Sequence, residues 1–122
     1  MTIDQTIIIY TKTDVIRARM EVREAARLLG LNTRDQALIS LATSSLTDAL
    51  GWGTGKRAGT ITIESLDGEK NKGLRVVCTC EYPQNGEPMV GLTKGVRWMV
   101  DALDVRDPVG NQIEVALIKW AA

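Results

Sequence analysis

Few residues of this chain can carry acid–base or metal chemistry. The sequence has no histidine, which removes histidine-based triads, histidine metal ligands and the commonest general base near neutral pH. Catalysis would have to use carboxylates, lysines or the two cysteines, Cys78 and Cys80. These cysteines stand two apart in a predicted strand, so both thiols point to one face and a disulfide between them is geometrically poor. We expect buried, unbridged thiols, and no cluster has the spacing of a metal site.

Two glycine-containing stretches could contact phosphate. Residues 52–59 are Trp-Gly-Thr-Gly-Lys-Arg-Ala-Gly, but their spacing does not match a P-loop, and we interpret them as a flexible link between helix and sheet. Gly91, Lys94 and Gly95 open a predicted helix, whose N-terminus can bind an anion. A plain helix start is the alternative interpretation.

The central element is a predicted helix over residues 33–51. Thr33 is a suitable N-cap, Gln36 completes a capping box, and Gly51 supplies the stop. The helix is apolar on most sides, which predicts burial. Its main stripe, with the residues that widen it, is Leu38, Leu41, Ala42, Ser45 and Ala49, with Ile39, Leu46 and Leu50.

The remaining elements give the order strand, helix, helix, strand, strand, helix, strand, strand. The first helix is capped at Thr13 and closed by Gly30. The strands are predicted at residues 6–11, 60–65, 73–81, 104–107 and 112–120, and a third helix from Gly91 turns Val96, Met99, Val100 and Leu103 to the core. This order predicts an α+β fold: a two-layer sandwich of a mostly antiparallel mixed sheet covered on one face by three helices.

Length and charge restrict the function further. We expect residues 1–122 to form one domain. Fifteen basic and fifteen acidic residues cancel, so neither nucleic acid nor an anionic membrane is an expected partner. The apolar run at residues 7–9 is too short for a signal peptide or a membrane span, and we expect a cytoplasmic protein.

Several local strings, in order, resemble one family. They are Asp14-Val-Ile-x-Ala-Arg with a Leu-Leu-Gly ending, Thr33-x-Asp-Gln-Ala-x-Ile, Lys72-Gly-Leu-Arg-Val-Val, Lys94-Gly-Val-Arg and Ile118-Lys-Trp. Together they resemble the ATP-binding domain shared by histidine kinases, gyrase and anti-sigma-factor kinases, the GHKL superfamily. Within it the chain is most similar to the RsbT-type switch-protein serine kinases. The resemblance implies a histidine-kinase-like ATPase fold and partners of the STAS-domain antagonist or phosphatase type.

The nucleotide motifs of that superfamily are degenerate in this chain. ATP-binding members carry a glutamate on the central helix and an asparagine four residues later, and the resemblance places Ser45 and Ala49 at these positions. Serine has no basic group and alanine has no ligand atom. Asp48 is rotated from the Ala49 position by about 100° around the helix. A compensating role for Asp48 is the alternative to a solvated carboxylate.

Two further motifs are altered. The Asp-x-Gly-x-Gly motif corresponds to Cys-Glu-Tyr-Pro-Gln at residues 80–84, where Glu81 could bind adenine after a one-residue shift. The glycine-rich lid over the nucleotide has shrunk to residues 85–90. We therefore expect no catalytic residue and no cofactor. The alternative is ATP–Mg²⁺ bound through Asp48, Glu81, Gly91, Lys94 and Gly95. A pocket lined by Ser45, Ala49, Cys80 and Tyr82 would be small and could be filled by its own side chains.

The favoured interpretation is a degenerate anti-sigma-kinase-like domain that acts by protein binding in bacterial signalling or stress regulation. The alternative is an active, divergent serine/threonine kinase or ATPase. Tryptophan is common at binding hot spots. We predict that Trp52, in the glycine-rich link, is exposed and available to a partner, whereas Trp98 and Trp120 pack in the core. A homodimer formed through the first strand is a related possibility.

Overall fold

One sheet and two helices make up the described part of the molecule. The structure, a computed structural model, describes residues 2–52, 54–81, 93–106 and 112–121. In chain order the elements are β1 (Asp4–Thr11), α1 (Lys12–Leu28), α2 (Thr33–Ala49), β2 (Thr54–Asp67), β3 (Lys72–Glu81), a 3-10 turn (Arg97–Met99), β4 (Ala102–Arg106) and β5 (Gln112–Trp120).

The five strands lie in the order β1-β2-β3-β5-β4, and each neighbouring pair is antiparallel. Both helices pack on the same face, with α1 over β1, β2 and β3, and α2 contacting α1 and β5. The predicted α+β class is confirmed. The predicted mixed sheet is not found among these strands, because every pairing between them is antiparallel. Neither helix of the described residues is long and apolar enough to span a membrane.

Of the predicted third helix, Thr93 is helical, but the helix does not continue beyond this residue. Between Thr93 and Val100 the chain forms a turn and the 3-10 turn Arg97–Met99, in which Val96 and Met99 are buried as predicted. Apolar residues three apart suit a 3-10 turn as well as an α-helix. Leu103 lies in β4, which begins after Asp101 donates its N–H to the carbonyl of Ile118. Gly91 lies outside the described residues.

The glycine-rich stretch also differs from the prediction. From Thr54 onward its backbone belongs to β2, rather than to a flexible link. Gly59 pairs with Ile9 and Thr54 pairs with Thr11, and between these two pairs the register shifts, since one residue of β1 lies opposite four of β2. Pairing with β1 therefore extends β2 well beyond the alternating segment from which its bounds were predicted.

The N-cap of each helix lies one or two residues before the predicted one. The hydroxyl of Thr11, not of Thr13, accepts from the N–H of Asp14 at 3.3 Å, and the Asp14 carboxylate accepts from the N–H of Thr11 at 2.9 Å. This is a complete capping box. In α2 the N-cap is Asn32, not Thr33, and its Oδ1 accepts from the N–H of Asp35 at 2.8 Å. Cap side chains must reach the third helical N–H, and only these residues do.

The predicted helix ends are confirmed. Gly30 and Gly51 have φ angles of 90° and 74°, a conformation that glycine adopts without strain. After each glycine the chain turns back, since the N–H of Leu31 donates to Ala26 and the N–H of Trp52 donates to Thr47, both at 3.0 Å. These contacts satisfy carbonyls that a helix end would otherwise leave unpaired.

Alternation along the strands divides the sheet into a helix-covered face and an open face. The core contains the helix-facing side chains of the three central strands, namely Ile61, Ile63, Leu74, Val76, Cys78, Cys80, Ile113, Val115 and Leu117. On the open face Arg75 and Glu64 form a partly buried ion pair at 3.1 Å. The cysteines are both buried and form no disulfide, as predicted.

A charged cluster fastens the start of α2 to the end of β5. Lys119 Nζ lies 3.6 Å from Asp35 Oδ1 and 3.4 Å from Asp101 Oδ1, and its side chain is largely buried. The second oxygen of Asp101 accepts the backbone N–H of Trp120 at 2.7 Å. These contacts fix the N-terminus of α2 at the end of the sheet where β5 finishes.

The Asp14 cap predicts a pH dependence of stability. Hydrogen bonds from the backbone N–H groups of Thr11 and Tyr10 lower the pKa of the Asp14 carboxyl in the folded state. The stabilisation is therefore present above the pKa of the unfolded chain, and is lost as pH falls below about 4. We expect Asp14→Asn to lower the melting temperature at pH 7 and to reduce its further drop on acidification, as measured by circular dichroism.

Glu69→Gln is the matched control, since it removes one exposed carboxylate in the β2–β3 turn and changes the net charge equally. It should leave the melting temperature at pH 7 unchanged. An Asp14→Asn protein that loses as much stability in acid as the wild type would show that this cap does not contribute to the pH dependence.

Candidate functional site

The candidate site is built on α2, and its buried face is not the predicted one. The fully covered residues of α2 are Ile39, Ser40, Ala42, Thr43, Leu46 and Thr47. Leu41 is 50% exposed, Ala49 is exposed, and Leu38 and Ser45 are half-buried. Apart from Ala42, which is buried as predicted, the main stripe therefore lies at the border of the core, and the residues predicted only to widen it are buried.

The buried face of α2 differs from the predicted one because the hydroxyl groups on α2 have hydrogen-bond partners within the two helices. Thr43 Oγ1 donates to the Ile39 carbonyl and Thr47 Oγ1 donates to the Ser44 carbonyl, both at 2.8 Å. Ser40 Oγ lies 3.4 Å from the Arg19 carbonyl of α1. Burying a hydroxyl is expensive only when it lacks a hydrogen bond. Three polar residues can therefore occupy the interface, and Leu41 remains outside.

Ser45 and Ala49 share the flank of α2 that is turned away from α1. Ser40 marks the side that meets α1, and five residues further along the helix Ser45 is rotated from it by about 140°. Ser45 and Ala49 are four residues apart and so lie one above the other on this flank. Asp48 is exposed on the outer surface of the helix.

Two contacts locate this flank along the sheet. The Lys119 cluster fixes the N-terminus of α2 at one end of the sheet, so the C-terminal half that carries Ser45 and Ala49 lies towards the other end. Immediately after α2, the indole of Trp52 lies against Gly59, which pairs with Cys80 near the end of β3. The structure therefore brings the α2 flank and the Cys80 end of β3 to the same end of the molecule.

The two residues at the end of β3 face opposite sides of the sheet. Cys80 points into the core beneath the helices, whereas Glu81, one residue later, is exposed and pairs with Gln112. Successive strand residues alternate between faces, so Glu81 belongs to the open face. It is separated by the sheet from Asp48, its predicted companion in an alternative nucleotide site.

Cys78 offers no reactive thiolate in this arrangement. Burial, and secondarily the neighbouring Cys80, raise the pKa of the Cys78 thiol to about 12. A thiol must ionise to act as a nucleophile. Cys78 therefore serves as a neutral core side chain.

The predictions for two tryptophans are wrong. Trp52, predicted to be exposed, is 4% exposed and belongs to the core, while Trp98, predicted to be buried, is 68% exposed. A Cβ atom at Gly59 would lie 2.2 Å from the Trp52 ring, so the glycine leaves room for the indole. The Trp52 Nε1–H is buried and has no hydrogen-bond partner among the residues that the structure describes. The sequence shows several glycines near Trp52. Only the strand pairing shows that Gly59 is the one on which the indole packs.

Residues 93–95 give little support for an anion site. Lys94 and Gly95 are exposed and lie in a turn rather than at the start of a helix. Gly91 and Tyr82 lie outside the described residues. Within the described ranges no group of three histidine, cysteine, aspartate or glutamate residues could hold a metal ion.

Comparison with known proteins identifies the family. The chain is 30% identical to the serine/threonine-protein kinase RsbT of Bacillus subtilis (strain 168), in an alignment of 132 positions that covers 96% of this chain and 97% of the relative. The chain belongs to the RsbT family. No protein-family profile matches it. The alignment is longer than the 122-residue chain, so at least ten positions of RsbT lie opposite gaps in this member of the family.

The contact between Trp52 and Gly59 predicts a specific stability effect. In Gly59→Ala the new methyl group overlaps the indole ring of Trp52. Overpacking of this kind typically destabilises a protein by about 1–3 kcal/mol. We expect the free energy of unfolding in urea, followed by tryptophan fluorescence, to fall by this amount. In Gly95→Ala the new methyl group meets nothing within 4 Å, so the change should stay within about 0.5 kcal/mol. Equal effects of the two substitutions would contradict the packing of Trp52 on Gly59.

Proposed function

We propose that this member of the RsbT family is a degenerate kinase-like domain that lacks ATP-dependent kinase activity. It acts instead by binding a protein partner in cytoplasmic bacterial signalling or stress regulation. The proposal rests on the flank of α2, where the resemblance places Ser45 and Ala49 at the positions of the glutamate and asparagine of ATP-binding relatives. The proposed partner is a STAS-domain antagonist or a phosphatase-type regulator.

The chemistry of this flank supports the loss of catalysis. A phosphoryl-transfer site needs a group that orients or deprotonates the attacking hydroxyl, and oxygen ligands for Mg²⁺. The Ser45 hydroxyl cannot accept a proton at neutral pH, and the Ala49 methyl group cannot bind a metal. Asp48 is the nearest carboxylate along the helix, but it lies on the outer surface of α2.

The surroundings of the flank support the same proposal. The Trp52 indole fills the space over Gly59, beside the Cys80 end of β3. Glu81 faces away from the helices, so it does not approach adenine in a pocket beneath α2.

Binding by surface contact is supported by two large apolar side chains outside the core. Trp98 is 68% exposed on the 3-10 turn, and Leu41 is 50% exposed on α2, against which that turn packs. Exposed tryptophans are frequent centres of binding energy. Trp98 therefore replaces Trp52 as the candidate contact residue.

A second candidate function is an active, divergent serine/threonine kinase or ATPase. It is favoured by the similarity to a protein named as a serine/threonine-protein kinase. In that case Asp48 is the carboxylate that supplies the missing function on α2, and ATP and Mg²⁺ are bound despite the altered motifs.

Nucleotide binding separates the two functions. We expect the melting temperature to be the same with and without about 5 mM ATP and Mg²⁺. A ligand that binds only the native state would raise the free energy of unfolding, by about 2.7 kcal/mol at a hundredfold excess over its dissociation constant, and with it the melting temperature. We also expect no transfer of phosphate from labelled ATP to a purified STAS-domain protein. RsbT of Bacillus subtilis is the comparison protein in both assays.

A Mg²⁺-dependent rise in melting temperature together with phosphate transfer would overturn the proposal. The variant Asp48→Asn then tests the second function, since it should abolish transfer if this carboxylate is used. Glu69→Gln, which removes an exposed carboxylate in the β2–β3 turn, is its matched control.

Partner binding predicts a role for Trp98. In calorimetric titrations with a purified STAS-domain protein of the same organism, Trp98→Ala should bind about 30-fold more weakly, about 2 kcal/mol, as is typical of a hot-spot residue. Leu28→Ala, which truncates another exposed apolar side chain at the end of α1, should bind like the wild type. Equal binding by wild type and Trp98→Ala would place the contact surface elsewhere.

A further inference from the structure

The 3-10 turn and the residues before it have a buried side and an exposed side. Thr93, Val96 and Met99 are buried. The N–H of Val96 donates to the Thr93 carbonyl at 3.0 Å, and the N–H of Met99 donates to the Val96 carbonyl at 2.9 Å. These contacts anchor the backbone on both sides of the exposed Trp98. A contact residue on an anchored backbone loses less conformational entropy when it binds a partner.

Asp101 fixes the end of this turn against β5 and α2. Its N–H donates to the Ile118 carbonyl at 2.8 Å, and its carboxylate accepts the backbone N–H of Trp120 at 2.7 Å. The same carboxylate lies 3.4 Å from Lys119 Nζ, which also reaches Asp35 in the first turn of α2. The exposed turn therefore lies beside the N-terminal half of α2.

That half of α2 presents a row of side chains beside the turn. Arg34, Leu38 and Leu41 follow one another at spacings of four and three residues, so they lie along one side of the helix. Arg34 and Leu41 are exposed, and Leu38 is half-buried. We use the name Trp98 surface for Trp98, Leu38 and Leu41 together with the cations Arg34, Lys94 and Arg97 that border them.

The cations of the Trp98 surface are not used within the described chain. Arg34, Lys94 and Arg97 are all exposed. Among the residues that the structure describes, none of the three lies within ion-pairing distance of a carboxylate. Their positive charge is therefore available to a ligand.

The carboxylates of the same region are already engaged. Asp35 and Asp101 share the ammonium of Lys119, and Asp104 lies 2.8 Å from the guanidinium of Arg106. These acids are paired with other cations and do not neutralise the border of the Trp98 surface. An apolar centre with an unpaired positive border is complementary to an apolar side chain surrounded by carboxylates.

We propose that the Trp98 surface binds an acidic segment of a partner protein. An apolar side chain of that segment packs on Trp98 and the leucines, and its carboxylates meet Arg34, Lys94 and Arg97. The inference rests on the proposed function, because it names the chemistry of the partner for which Trp98 is the candidate contact residue. Like charges across such a border reject a basic segment.

The composition of the surface favours a protein over the other anionic macromolecules. Single-stranded nucleic acids are held by a basic groove that follows many phosphates, whereas this surface has three cations and the whole chain has no net charge. Helices that bind membrane surfaces insert a long apolar face into the bilayer. The apolar face of α2 is buried in the core instead.

A synthetic peptide tests the partner chemistry directly. Its about 15 residues place leucine at helical spacing with glutamate elsewhere, and a second peptide carries lysine in place of each glutamate. In two-dimensional spectra of nitrogen-labelled protein the three tryptophans give separate indole N–H signals, and Trp98→Ala identifies the signal of Trp98. We expect the glutamate peptide to shift this signal with a dissociation constant on the order of 100 µM at about 50 mM salt, and to bind about tenfold more weakly at about 300 mM. The lysine peptide should leave the signal unchanged.

Reversal of single charges tests the border of the surface. Arg97→Glu and Lys94→Glu should each weaken binding of the glutamate peptide at least about fivefold. Both side chains are exposed, so the variants should fold, which circular dichroism checks. Lys70→Glu is the matched control, because it reverses an exposed cation in the β2–β3 turn and changes the net charge equally. It should bind like the wild type.

Equal binding of the two peptides, or equal weakening by Arg97→Glu and Lys70→Glu, would overturn the inference. So would tighter binding of polyuridylate or of phosphatidylserine vesicles at Trp98, since the ligand would then be a nucleic acid or a membrane. A wild type that binds the STAS-domain protein but whose Trp98 signal is not moved by the glutamate peptide would overturn this inference and leave the proposed function standing. A glutamate-selective shift in a protein that transfers phosphate from ATP would do the reverse.

Discussion

Both sides of β3 are occupied, by β2 and by β5, and a strand held in this way can direct its side chains in only two directions. Leu74, Val76 and Cys78 face the helices, and the intervening residues face outward. Paired residues on neighbouring strands share a face, so the side chains of β2 and β5 are divided between the two faces in the same way. Because the helices cover only one face, this division separates the side chains that can meet α2 from those that cannot. The separation of Glu81 from the α2 flank follows from it directly.

Much of this architecture could be predicted from local sequence. The bounds of β5 and the glycine stops of α1 and α2 are set by alternation and by backbone conformation, which the sequence carries within a few residues. Features that depend on tertiary contacts could not be predicted in this way. Whether Thr11 or Thr13 caps α1 depends on which hydroxyl reaches an N–H, and the choice of buried face on α2 depends on the Arg19 carbonyl that Ser40 meets. The 3-10 turn replaced a helix because both fit the same apolar spacing.

The candidate site shows the same distinction. The resemblance to the family places its residues on α2, Ser45 and Ala49, and four-residue spacing on a helix fixes their relative position. The pocket around them was not, since the burial of Trp52 depends on Gly59, which the chain brings near only by pairing β2 with β1 and β3. The flank itself carries little of the core: Ala49 is exposed and Ser45 is half-buried. In the proposed function, substitutions at these positions remove chemistry without loosening the packing between α2 and the sheet.

The three tryptophans lie at three different depths. Trp52 is buried, Trp120 is half-buried with its ring over Gly73, and Trp98 is exposed. The chain has no phenylalanine and only two tyrosines, so the indoles dominate its near-ultraviolet signals. An aqueous quencher such as iodide meets Trp98 freely and Trp52 hardly at all, which makes the fluorescence of the folded chain separable by accessibility. The protein thus carries its own optical probes for the core, for the end of the sheet and for the surface beside α2.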